Sequence, residues 1–218
     1  MQKKQVDIDY SYFDADFHDD MLKSKNPVRK WFHTNKNKIL SETVMKYYKN
    51  GDKIVDLGCG TVNWNLHKLP VYGVDLNLKM LQKAKKAGKL YAYSCSPVEK
   101  TIFDDNSVNI VVISEVLEHL ENYREAIKEI KRILVKGGVC ISTVPYDTFF
   151  SMWKPLFALQ CFVHGTMLGN EYFKNEAGHI NHFSPKSIAN VFQSEGFEII
   201  SQFDMSRFTI FTVARKIT

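Results

Sequence analysis

Lys53-Ile54-Val55-Asp56-Leu57-Gly58-Cys59-Gly60 and, a short way on, Val71-Tyr72-Gly73-Val74-Asp75 decide the fold of this chain. Each is a short apolar run that meets an acid, and the first continues directly into two glycines spaced G-x-G. A brief apolar run bounded by turn residues is how a parallel strand buried on both faces reads. Glycine lets the backbone approach a ligand where a Cβ would collide, and an acid ending the next strand can accept hydrogen bonds from both hydroxyls of a ribose. The pair predicts a site for a nucleoside-containing cofactor at the carboxyl edge of a parallel sheet.

Spacing then separates the cofactors. A dinucleotide turn calls for G-x-G-x-x-G, but the third position counted from Gly58 falls on Asn63. Asp56, two residues ahead of Gly58, would repel phosphates and suits an ammonium group. S-adenosylmethionine carries that ammonium and no phosphate. The run Val55 to Thr61 with Asp75 resembles the opening motifs of class I S-adenosylmethionine-dependent methyltransferases.

Working outward, Met1 to about Asn50 alternates aromatic residues with charges. Asn26-Pro27 breaks this stretch, and Ile39, Leu40, Val44, Tyr47 and Tyr48 recur at helical spacing up to Asn50-Gly51. Residues 1–50 thus read as a helical cap on the sheet, with Arg29, Lys30, Trp31, Phe32 and His33 either lining the site's mouth or anchoring the cap. After the first strand, Pro70 leaves room only for a two-turn helix over Asn63 to Lys68. Asn77 caps a helix through Met80, Leu81, Ala84 and Ala87, closed by Gly88; its lysines read as a solvated face.

A third strand is expected near Leu90 to Ser94, and Val108 to Ser114 is a β-branched run suited to the sheet centre. Asn122 to Val135 reads as an amphipathic helix, capped by Asn122 with Glu125 and stopped by Gly137-Gly138. Val139 to Val144 is strand five, terminated by Pro145. A capped helix over Ser184 to Glu195, a strand from Gly196 to Ile200 and an antiparallel strand over Arg207 to Arg215 complete the core. The expected fold is α/β: a Rossmann-like, doubly wound seven-stranded sheet, mostly parallel with one antiparallel C-terminal strand.

Three further segments extend the resemblance in the right order. Phe103 to Val112, Glu115-Val116-Leu117-Glu118-His119-Leu120 and Arg132 to Gly138 resemble the consecutive middle motifs of small-molecule class I methyltransferases, including the quinone-biosynthesis type. The resemblance implies S-adenosylmethionine as cofactor, held by Asp56, Gly58, Cys59, Gly60, Asp75, Leu76, Met80, Ser96, Val98, Ser114 and Glu115. This chain departs from the family at two positions. Val62 stands where a glycine is usual, and Pro97 stands where an acid often receives the adenine amino group. Adenine then falls to backbone groups near Ser96 to Val98, with Ser96 or Glu99 as side-chain candidates.

Residues 51–145 form the expected cofactor-binding core, 146–183 an insertion over the substrate, and 184–218 the helix and strand pair completing the sheet. Phe149 to Leu168 is nearly apolar, but Lys154-Pro155 interrupts it, so it reads as a lid or an interfacial helix rather than a membrane span. Methyl transfer from a sulfonium needs orientation and exclusion of water, with a base for some acceptors. His119, His179 and His182 are the candidates. His119 could equally serve a hydrogen-bonding role at a helix start, and no third ligand at a telling spacing beside His179 and His182 supports a metal. The tail containing them resembles that of a methyltransferase subfamily with diverse substrates.

Composition sets the outer bounds. The chain has 218 residues, 44% hydrophobic and 24% charged, with a net charge of +5 and pI near 8.9, which fits one globular domain with an appendage. A small-molecule acceptor is expected, without nucleic acid or a membrane span, though peripheral membrane contact stays open. Four dispersed cysteines with no C-x-x-C pair read as buried reduced thiols, and the polar opening of the chain is unlike a secretory signal. Both point to the cytoplasm. The rival classes are a nicotinamide dehydrogenase, which the glycine count disfavours, and a nucleic-acid amino-methyltransferase, which would want an Asn/Asp-Pro-Pro-aromatic run where Ser114-Glu115-Val116-Leu117 stands. A non-catalytic scaffold of the same fold is the alternative from another class.

Overall fold

The computed structural model describes residues 14–167, 169 and 179–218. In chain order the elements are α1 (Phe17–Leu22), α2 (Pro27–Tyr47), β1 (Ile54–Leu57), β2 (Val71–Asp75), α3 (Leu78–Lys86), β3 (Ala92–Cys95) and β4 (Val108–Ser114). There follow α4 (Tyr123–Ile133), β5 (Leu134–Pro145), α5 (Trp153–Gln160), a π-helical stretch (Cys161–Met167), α6 (Pro185–Ser194), β6 (Phe197–Met205) and β7 (Thr209–Lys216).

The strands form one seven-stranded sheet in the order β3-β2-β1-β4-β5-β7-β6. Strand β7 runs antiparallel to β5 and β6, and the other pairs are parallel, as the sequence predicts. Strand order reverses between β1 and β4, so the chain diverges there and opens a crevice at the carboxyl ends of both strands. The period-two alternation of side chains builds a core on each face. Val55, Leu57, Val111 and Ile113 join Ile127 and Ile130 of α4 and Ile188 and Phe192 of α6. Ile54, Ile110 and Val112 join Leu40 and Val44 of α2 and Leu81 of α3 on the other face.

Three local expectations are corrected. Asn63 to Lys68 is a series of turns, not a helix. Asn65 decides this: its side chain donates to Leu69 O and Lys89 O, each at 2.9 Å, and accepts from Leu69 N at 2.8 Å. Where Asn26-Pro27 ends the aromatic-charged stretch, as expected, α2 starts: Asn26 Oδ1 accepts from Val28 N and Arg29 N with Pro27 in the first turn. Gly137-Gly138 lies inside β5, which begins directly after α4, and Asn122 makes no side-chain cap bond. A Cβ on Gly138 would sit 2.9 Å from Val135 O and 3.0 Å from Asn109 O, so glycine is there for strand packing. Finally, Cys95 is exposed while Cys59 and Cys140 are buried.

The insertion after β5 begins with Phe149 95% exposed and then turns into α5, where Pro155 fits in the first turn. Among the described residues, no helix is long and apolar enough to cross a membrane. The part of the insertion at 168 and 170–178 lies outside the described residues.

Candidate functional site

The loop leaving β1 is shaped by left-handed backbone at Gly58 (φ 68°), Gly60 (φ 51°) and Val62 (φ 52°). Gly58 N and Cys59 N both donate to Val74 O, at 2.7 and 3.1 Å, tying the loop to β2. Gly60 N donates to Asp75 Oδ2 at 2.7 Å, and Asn77 N to Asp75 Oδ1 at 2.8 Å. A Cβ on Gly58 would come 2.4 Å from Val116 Cγ2, so the glycine also makes room for the loop after β4. Val62 adopts, with a β-branched side chain, the conformation that the family's usual glycine would take without strain.

These ends of β1, β2 and β4 open onto a cavity of about 770 Å³. Asp56, Gly58, Cys59, Asp75, Leu76, Met80, Val98, Ser114 and Glu115, all expected at the cofactor, line it. Two expected residues are not brought to it. Gly60 is covered by His18 of α1, whose ring would meet a Cβ there at 2.4 Å, and Ser96 turns its hydroxyl to Ser94 Oγ at 3.2 Å. Glu99, Pro97 and Val98 represent the loop after β3 instead. Of the basic-aromatic cluster, Arg29, Phe32 and His33 reach the cavity; Trp31 packs on Phe208 at 5.6 Å between ring centroids.

Asp56 is buried, with Oδ2 accepting from Trp64 Nε1 at 2.7 Å. Burial lifts its carboxyl from an ordinary 3.8 to about 8, against the Trp64 bond, which lowers it, and with a smaller push from Asp75. Burial likewise raises Asp75, opposed by the backbone N–H groups of Asn77 and Gly60. Nearby Thr61 Oγ1 is buried without a partner. A buried acid with a single hydrogen-bond donor, an orphaned hydroxyl and a second acid at the strand end are the groups that an amino-acid moiety and a ribose would satisfy. The apolar Leu76, Met80 and Val98 offer a wall for a flat base. The residues fit S-adenosylmethionine.

Glu118, His119 and His179 line the same cavity, and Trp153 and Phe157 of α5 pack on His179. His179 stacks on Phe157 with centroids 5.5 Å apart and lies 4.8 Å from the His119 ring. His182, the third candidate base, is not brought to the cavity; its Nδ1 pairs with Asp147 Oδ2 at 3.0 Å on a half-exposed surface. Burial first, then His119 and His182, hold the His179 imidazole down at about 3. Such a ring stays neutral near pH 7 and is a poor match for general-base work, which favours a pKa near the operating pH. Lys36 of α2 and Glu118 were missed from sequence. Lys36 Nζ lies 3.9 Å from Glu115 Oε1, and a cation in the interior of a helical cap leaves no periodic signal.

A family model described as "Methyltransferase domain" matches residues 55–142, the stretch that carries these strand ends. This match, together with the motif order and the sheet topology, supports the class I S-adenosylmethionine-dependent methyltransferase superfamily over that stretch. It is 29% identical over 145 residues to a demethylmenaquinone methyltransferase of Staphylococcus carnosus, covering 56% of this chain and 60% of that one. Against four such Staphylococcus relatives the match spans only 54% to 60% of their length. Two solved structures share the superfamily fold at low identity. One is a chain of the complex between the Haloferax volcanii Trm112 methyltransferase activator and its methyltransferase (TM-score 0.67, 17% identity, 94% of each chain). The other is the [4+2]-cyclase SpnF (TM-score 0.65, 15% identity, 83% of this chain and 81% of that one).

Proposed function

We propose that this protein transfers a methyl group from S-adenosylmethionine to a small, partly apolar acceptor. The observation that carries the reading is the switch-point cavity itself: Asp56, Gly58 and Asp75 stand on one wall, and Trp153 and Phe157 close the other. Its volume of about 770 Å³ is within the range of about 300–1,000 Å³ common for small-molecule sites. The cofactor, when bound, supplies a methyl already activated by its sulfonium. Asp56 would face the amino group and Asp75 the ribose, while Trp153 and Phe157 keep water from the acceptor side. The named relatives act on demethylmenaquinone, and an acceptor with a flat apolar ring suits the aromatic wall here.

Calorimetry with S-adenosylhomocysteine tests the first half of this reading. One equivalent should bind, and Asp75→Ala should weaken it by about 2 kcal/mol, because the ribose loses a charged acceptor. Absence of binding would remove the cofactor assignment. Incubation of metabolite extracts with methyl-labelled S-adenosylmethionine tests the second half. Binding without transfer to any component would favour a scaffold of the same fold.

A further inference from the structure

On the acceptor side, Glu118 and His179 carry buried polar atoms that hydrogen bonding leaves unexplained. Glu118 is 1% exposed, yet neither of its carboxylate oxygens has a hydrogen-bond partner. His179 Nδ1 is likewise buried without one. One ligand atom from each of Glu118, His119 and His179 lies within 4.8 Å of the others, and His119 Nε2 is 3.8 Å from Glu118 Oε1.

The backbone builds this juxtaposition deliberately. Ile180 N and Asn181 N both donate to Glu118 O, at 2.9 and 3.0 Å. Asn181 Nδ2 adds bonds to Leu117 O and Leu120 O, at 3.1 and 2.6 Å. Two distant stretches of chain are thereby clamped with His179 held against the Glu118-His119 pair. From the outside, Trp153 and Phe157 pack on His179.

We propose that Glu118, His119 and His179 bind a divalent transition-metal ion, with open coordination positions facing the cavity. Two imidazoles and one carboxylate are the donor set of zinc and related first-row ions rather than of magnesium or calcium. Ligand bonds of about 2.0–2.2 Å bring donor atoms of one ion to roughly 3–4 Å of each other, so small side-chain rotations close the cluster. Glu115 is the next acid beside it, bonded by Thr143 Oγ1 at 2.9 Å, and Lys36 is the nearby cation. The ion would stand within the proposed acceptor wall. A hydroxyl oxygen bound to it releases its proton to solvent water at a lower pH, and the electron pair of the broken O–H bond stays on oxygen. The acceptor class that follows is a phenolic or enolic hydroxyl. That last step rests on the methyl-transfer reading; the metal site itself does not.

The experiment uses the full chain, stripped with a chelator and titrated calorimetrically with Zn²⁺, then with Co²⁺ while its visible d–d bands are recorded. One equivalent per chain should bind, with Co²⁺ bands showing nitrogen and oxygen coordination. Glu118→Gln and His179→Asn should each weaken Zn²⁺ by at least tenfold. Failure of the wild-type protein to bind Zn²⁺ or Co²⁺ stoichiometrically overturns the site, so a variant that misfolds cannot shelter it. Unchanged Zn²⁺ affinity in both variants also overturns it. S-adenosylhomocysteine binding, measured on the stripped wild-type protein, reports separately on the methyltransferase reading.

Discussion

Asp56 and Val62 each hold, at single-residue scale, a state that their surroundings make costly. With the Asp56 carboxyl at about 8 when folded and an ordinary 3.8 otherwise, folding favours its protonated form. Its contribution to stability is full below pH 3.8 and is lost as pH rises through about 8. Thermal unfolding of the free protein should therefore shift to lower temperature between about pH 4 and 8, with a shallower dependence in Asp56→Asn. An ammonium placed beside Asp56 needs the carboxylate, so binding S-adenosylhomocysteine below pH 8 should release up to one proton. Calorimetry in buffers of different ionisation enthalpy measures that release, and Asp56→Asn should abolish it. Val62 sets two terms against each other. Its φ of 52° costs about 1–3 kcal/mol, and its buried side chain contributes about 1.5–3 kcal/mol. Val62→Gly should accordingly change stability by no more than about 2 kcal/mol in either direction, where an ordinary buried Val→Gly would cost more; a denaturant midpoint decides.

Among the elements, the loop between β1 and β2 stands in place of a helix and depends on one side chain. Asn65 is 3% exposed and makes three hydrogen bonds that join Leu69 and Lys89. Asn65→Ala would strip partners from buried backbone groups, and unfolding free energy should fall by about 2–4 kcal/mol. A loss below about 1 kcal/mol would mean that Pro70 and Val62 hold the loop without it. This element also marks where sequence reading stops. Strands β2 and β4 were legible to the residue because β-branched runs bounded by Gly, Asp and Ser are local signals. The turns over residues 63–68 were not, because the carbonyl of Lys89, across the sheet edge, is part of what selects them. The site divides the same way. Asp56, Gly58 and Asp75 announce themselves by position at strand ends. Glu118 becomes meaningful only when backbone bonds from Ile180 and Asn181 deliver His179 beside it.

In the whole molecule, the cavity has a wall built from the sheet's own strand ends and a wall supplied from outside the sheet. The first comprises Asp56, Gly58, Asp75, Met80 and Val98; the second draws Trp153 and Phe157 from the insertion after β5. Phe150, Met152, Leu159 and Phe162 of that insertion are each more than half exposed, so they contribute little to the sheet's core. Among the described polar ties of residues 150–163 to their surroundings, Trp153 Nε1 donates to Tyr146 O and Met152 N to Arg207 O, each at 3.1 Å, and Lys154 Nζ pairs with Asp147 Oδ1 at 3.5 Å. Deleting residues 150–163 should thus preserve a single cooperative unfolding transition and leave S-adenosylhomocysteine affinity within about threefold. Methyl transfer should be lost, because the acceptor wall and its exclusion of water go together. The sharper variant is Trp153→Ala with Phe157→Ala, which keeps the chain length and opens only the aromatic face. It should raise the KM for acceptor while cofactor affinity stays put. Collapse of cofactor affinity together with the cooperative transition, in either variant, would make the segment part of the core rather than a cover over the acceptor.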